Sequence, residues 1–195
     1  MNGRTIALLL AASITGQLTP PWAMPVRAQA QWTPAVEEPD TYRMNEYRGP
    51  VPQTLAGARV VTTEEAEALW RAGETVFLDV MPYTPKPADL PAGTIWRDRV
   101  RKDIPGSLWL VNVGYGALSA ETTAYFRDAL DRVSRGTKDK PLLFYCMTDC
   151  WMSWNAARRA VEWGYRSVLW YPLGADGWEK AGLPLKESRP YVANH

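Results

Sequence analysis

Both cysteines of this chain, Cys146 and Cys150, lie four residues apart, in a stretch that continues Trp151, Met152, Ser153, Trp154, Asn155. Two thiols at this spacing can act as a couple, one thiolate attacking a sulfur and the other resolving the adduct as a disulfide. The residues around them say where they sit. The apolar run 141–145 suits a buried strand, and Ala156, Ala157, Ala160 and Val161 then recur at helical spacing, with Gly164 where a C-cap glycine belongs. The thiols therefore occupy a strand-to-helix loop. A sulfur at a helix N-terminus faces free backbone N–H groups and the positive end of the helix dipole, both of which favour thiolate.

Other readings of the same residues stay open. Free cysteines are often buried and inert. A static disulfide would close a loop of a few residues and add little stability. Cys146, Met147, Cys150 and Met152 together make a set of soft sulfur donors that suits Cu(I). The sole histidine is the terminal His195, which leaves a Ser-His-Asp triad, a haem-attachment motif and a zinc site without the ligands or bases they need. No glycine-rich phosphate loop is present, so nothing calls for a cofactor. Trp151 and Trp154 flank the thiols and read either as a hydrophobic rim for a partner protein or organic substrate, or as core. Asp79 ends a second apolar strand and could face the site or merely cap a turn.

The surrounding elements must position this loop. Thr62 and Glu65 form a capping-box pattern ahead of a helix running to Arg71 and closed by Gly73. Residues 59–62 and 76–80 read as strands, and Tyr83 to Gly93 as a proline-rich loop. Trp96 is placed at the start of a short element. Ile104 to Ser107 is a turn and 108–113 an apolar run. Ser119 caps a helix from Ala120 to about Ser134, whose apolar side carries Leu118, Tyr125, Phe126, Ala129, Leu130 and Val133. A last strand over 167–171 and a short helix over 174–181 follow. Strands alternating with helices predict an α/β protein whose central, mostly parallel sheet has helices on both faces.

The first thirty residues have the form of a secretory signal: a positive start, an apolar run from Ile6 to Ile14 too short to span a bilayer, and Ala28-Gln29-Ala30 as cleavage pattern. This predicts export to an oxidising compartment, the bacterial periplasm, with no membrane span after signal removal. Residues 31–57 are expected to form an irregular extension over the surface, 58–187 one domain and 188–195 a tail. Two of the 22 basic residues and none of the 21 acidic ones lie in the first thirty. The remainder is close to neutral without a basic block, which argues against nucleic acid as a partner.

The chain also resembles the rhodanese domain over roughly residues 59–185. Phe77-Leu78-Asp79-Val80 followed by Ile104-Pro105-Gly106-Ser107 is similar to that family's strand ending in an acidic residue and its later turn. Tyr145-Cys146, Gly164-Tyr165, Val168 and the run from Gly177 to Pro184 are similar to its active-site half. The resemblance implies a rhodanese-like sheet with Cys146 at the catalytic position. A closer resemblance rests on Tyr42-Arg43-Met44, Tyr47-Arg48, Pro50-Val51-Pro52, Trp109-Leu110, Gly114-Tyr115-Gly116 and the Cys146–Asn155 block. These look like a rhodanese-related family named for its CXXCW motif and associated with pyrroloquinoline-quinone-dependent catabolism. That implies a role near a periplasmic quinoprotein dehydrogenase of alcohol catabolism, or its electron-transfer partner. The role is either thiol redox or sulfane-sulfur handling by a sulfurtransferase-like or thiol–disulfide enzyme, or that of a non-enzymatic docking protein. Where rhodaneses commonly carry glycine three residues and arginine five residues after the cysteine, this chain has Asp149 and Trp151. Asp149 places a negative charge beside the thiol, which opposes thiosulfate and raises a thiol pKa, so thiosulfate:cyanide transfer is expected to be weak. Arg158 and Arg159 read as solvated surface residues. Cys146 is expected at the floor of the loop, ringed by N–H donors as the attacking thiol, with Cys150 as the resolving thiol at the rim.

Overall fold

A computed structural model describes residues 36–97 and 100–192. The signal-peptide assignment lies outside the described residues. Five short strands form one parallel sheet in the order β1-β6-β5-β2-β4: β1 Arg59–Val60, β2 Val76–Asp79, β4 Leu108–Trp109, β5 Leu142–Tyr145 and β6 Val168–Tyr171. Among the described residues four helices accompany it: α1 Thr63–Ala72, α2 Ala120–Ser134, α3 Trp151–Glu162 and α4 Gly174–Lys180. The α/β architecture with helices on both faces is the one expected from the alternation of elements.

Strand periodicity divides the core. Leu78, Val80, Leu142, Phe144, Val168 and Trp170 point to the face covered by α2 and α3. Phe77, Leu143, Tyr145, Leu169 and Tyr171 point to the face covered by α1 and α4. Because both faces are covered, β5 and β6 are buried throughout, and their sequences read as unbroken apolar runs. The helix starts follow the caps read from the sequence. Thr62 and Glu65 close a reciprocal capping box on α1, and the Ser119 side chain accepts the Thr122 N–H at the start of α2.

Two expectations are corrected. A small antiparallel ribbon, β3 Arg101–Asp103 with β7 Lys186–Ser188, was not anticipated, because its charged residues carry no apolar pattern. Trp96 lies in irregular chain, and the short element begins at Arg101 instead. The described residues on both sides of 57 and of 188 lie in the same compact unit. Val51 and Leu55 of the extension are core residues, and beyond Ser188 the Tyr191 N–H donates to the Trp109 carbonyl. Apolar side chains at 51 and 55 can leave water only by entering the domain.

Candidate functional site

The site lies where the parallel strands end. β5 is the central strand, and Cys146 follows its last residue. β2 runs beside it in register, Asp79 opposite Tyr145, so Asp79 and Met81 arrive next to Cys146. Ligands of open parallel sheets bind beyond these carboxyl ends. The loop from Cys146 then turns through Asp149, which holds the left-handed φ of 55°. Aspartate is among the few non-glycine residues that adopt this conformation readily. The departure from glycine at this position therefore keeps the turn.

Both cysteines are free thiols, both are buried, and they interact side chain to side chain. Burial pushes the Cys146 thiol well up, with the Cys150 sulfur and the Asp79 carboxylate adding to the effect. Cys150 moves the other way, down to about 7. Its interaction with the neighbouring Cys146 side chain outweighs the opposing effect of burial, and the N–H groups of Met152 and Met147 and the charge of Arg48 add support. Cys150 occupies the N-cap position of α3, where such N–H groups are unpaired, although no side-chain hydrogen bond caps the helix by geometry. The N–H groups at the start of α3 thus bear on Cys150, where the sequence reading expected them around Cys146. Nor does Asp149 govern the thiols: the carboxylate among the leading influences on Cys146 is Asp79.

Asp79 is fully buried. Its Oδ1 accepts the Met81 N–H at 2.9 Å and its Oδ2 meets Arg101 Nε at 2.5 Å. Burial pushes its carboxyl up to about 6 against the pull of Arg101. Arg101 Nη2 also donates to the Cys146 carbonyl at 3.1 Å, an oxygen that the Ala175 N–H reaches as well. One guanidinium therefore ties the end of β2 to the start of the cysteine loop. Met81 brings a third sulfur: its Sδ is 3.5 Å from Cys146 Sγ. Sequence reasoning missed Arg101 and Met81. Each is isolated in the sequence, 45 and 65 residues from Cys146, and only the strand register brings them in.

Trp151 and Trp154 are 2% and 0% exposed, so neither forms an exposed rim. They pack edge to face with ring centroids 5.5 Å apart, Arg43 stacks over Trp151, and Trp154 Nε1 donates to the Thr54 carbonyl. The extension covers them. Arg48 bridges Cys150, the Trp151 N–H donates to the Tyr47 carbonyl, and the Gly49 N–H to that of Asp149. Asn155 completes the join, accepting from the Arg43 N–H and donating to the carbonyls of Arg43 and Gly114. Arg159, expected in solvent, is 6% exposed and donates to the carbonyls of Val113, Tyr115 and Gly116. Arg158 is partly buried, bonding Glu162 and the Pro39 carbonyl.

Two glycines permit this packing. A Cβ on Gly114 would come within 2.4 Å of the Met152 carbonyl oxygen, and one on Gly174, at φ +54°, within 2.7 Å of the Cys146 carbonyl carbon and oxygen. The cysteine loop is thus clamped between backbone segments that no side chain could separate.

No family model and no curated protein matches the chain. Solved structures do. A thiosulfate sulfurtransferase from Pseudomonas aeruginosa aligns over 68% of this chain and 21% of its own length, at 16% identity and a TM-score of 0.44. A polysulfide-sulfur transferase homodimer from Wolinella succinogenes aligns over 72% and 86%, at 16% identity and TM-score 0.41. A variant of EanB in complex with hercynine aligns over 73% and 34%, at 20% identity and TM-score 0.46. The chain spans about a fifth of the first of these proteins and a third of the last.

Proposed function

We propose that this protein handles sulfane sulfur through a dithiol relay, with Cys150 as the attacking thiol and Cys146 as the resolving one. The observation that carries the reading is a pair of free, buried, interacting thiols beyond the central parallel strand, and the downward shift of Cys150 supports it as the attacking one. The Cys150 thiolate attacks the outer sulfur of a persulfide R–S–SH. This gives Cys150–S–SH and releases R–SH once a proton is taken up. Cys146 then attacks the Cys150 sulfur, closing the Cys146–Cys150 disulfide and expelling hydrosulfide. The two thiols lose two electrons and the sulfane sulfur gains them, and an external dithiol restores the pair by exchange. This order is the reverse of the one expected from the sequence, and the influence of the Met147 and Met152 N–H groups on Cys150 supports it.

The resemblance of the Cys146–Asn155 block supports placing this chemistry in the periplasm, beside a quinoprotein dehydrogenase. An N-terminal mass beginning at Gln31 in protein from its own compartment would support export, and a retained Met1 would count against it.

Intact-mass analysis after exposure to polysulfide tests the relay. Cys146→Ser should accumulate an extra sulfur on Cys150, and the unaltered chain should lose two mass units as its disulfide closes. An extra sulfur that persists on Cys150→Ser and never forms on Cys146→Ser would restore the opposite order.

A further inference from the structure

We infer that Cys146, Cys150 and Met81 form a three-sulfur site for one Cu(I) ion. The site shares its thiols with the proposed relay but does not depend on that chemistry. Its donors come from separate segments. Met81 follows β2, Cys146 follows β5, and Cys150 opens α3. The β2–β5 register carries Met81 Sδ to 3.5 Å from Cys146 Sγ, and Cys150 bears on Cys146 directly.

The donor set suits a small, soft, three-coordinate ion. Metal–thiolate bonds of about 2.3 Å place three sulfurs about 4 Å apart around a trigonal centre. The Met81–Cys146 contact would need to open by only about half an ångström, which a flexible thioether allows. Two thiolates and a thioether favour Cu(I) over harder divalent ions. Zinc in a structural site needs four ligands. Among the described residues no group of three or more His, Cys, Asp or Glu comes together to supply them. Met147 and Met152, the methionines singled out from the sequence, act on Cys150 through their backbone N–H groups.

The surroundings fit the charge of such a centre. A Cu(I) bis-thiolate carries one negative charge. Arg48 acts on Cys150, and Arg101 is held against the Cys146 carbonyl. Hydrogen bonds and charges of this kind around ligating sulfurs set the affinity and potential of metal sites. Binding must displace the proton from each protonated thiol, so affinity rises with pH.

Titration of the full, reduced chain against Cu(I) held by a chromogenic bidentate chelator, under argon, tests the site. One equivalent should be withdrawn from the chelator. Met81→Leu, a near volume-conserving exchange that packed cores tolerate, should weaken binding at least tenfold while both thiols remain countable. Cys146→Ser should abolish it. In protein labelled with selenomethionine, copper X-ray absorption should show a copper–selenium vector, which requires no variant to fold. Unchanged affinity in Met81→Leu, absence of the selenium vector, or failure to withdraw copper would each overturn the site. The polysulfide mass experiment reads the relay independently, so the failure of one is distinguishable from the failure of the other.

Discussion

Helices α2 and α3 are of similar length and flank the same face of the sheet, yet they are held in different ways. α2 buries Phe126, Ala129, Leu130 and Ser134 and shows its other side to water. That is an ordinary surface helix with one apolar stripe. α3 buries nine of its twelve residues, among them Ser153, Asn155 and Arg159. Buried polar groups persist only where they are hydrogen-bonded, and these are bonded mostly to backbone far away in the sequence. Ser153 joins Trp170 to the Cys150 carbonyl, Asn155 grips Arg43 and Gly114, and Arg159 grips 113–116. A helix buried on most sides is part of a layered assembly, and the extension over it is the outer layer. The extension is therefore part of the site, since it also pairs with Cys150 at Arg48.

The contrast can be broken most severely at Trp154. Trp154→Ala should cost about 3–5 kcal/mol in chemical denaturation, whereas Arg132→Ala, which removes an exposed α2 ion pair with Asp128, should leave stability nearly unchanged. Equal losses would mean that α3 is no more deeply embedded than α2.

Asn155→Ala should come next, at about 2–4 kcal/mol, because three backbone groups lose their partner inside the join. Limited proteolysis should then cut within residues 36–57 well before the rest of the domain. If cleavage there stays as slow as in the unaltered chain, Asn155 is not what holds the extension.

Acidity sharpens the comparison, since the carboxylate beside the loop that leads into α3 and one on α2 shift in opposite directions. Burial raises the Asp79 carboxyl to about 6, so the stability it contributes is fully present below about pH 4 and is lost as pH rises through 6. The change is on the order of 3 kcal/mol, and Asp79→Asn should remove it. Asp131 of α2 is held low by the Tyr165 hydroxyl and, after the opposing effect of slight burial, by Lys138, so its contribution is present above the usual carboxylate range and lost on acidification. Denaturation midpoints across pH 3–7 for the two Asp→Asn variants should therefore deviate from the unaltered chain with opposite slopes. Parallel deviations would show that Arg101 keeps Asp79 ionised at all these pH values.

The smallest effect lies in the thiols themselves. Thiolate absorbance should rise with a midpoint of about 7 for one sulfur per chain. Cys146→Ala should move the Cys150 midpoint upward, because the interaction with the Cys146 side chain, its largest support, is removed. A single transition of two sulfurs near their usual range would erase the asymmetry.

Much of this protein is local in origin, and that part was legible in the sequence. The Thr62–Glu65 box and Ser119 start their helices through contacts three residues long. The apolar runs of β5 and β6 mark doubly covered strands, and the thiols fall in the strand-to-helix loop that this pattern predicts. The tertiary structure decided what happens at the sulfurs. Arg101 and Met81 reach Cys146 across dozens of residues because parallel strands deliver their ends side by side, and a single residue at a strand end leaves no periodic trace. The extension, irregular in pattern, gives no sign of where it packs, so the burial of Trp151 and Trp154 could not be read from their types alone. The choice of Cys150 as thiolate is tertiary for the same reason. The sequence placed both cysteines near a helix N-terminus, but only the folded loop determines which sulfur its N–H groups face.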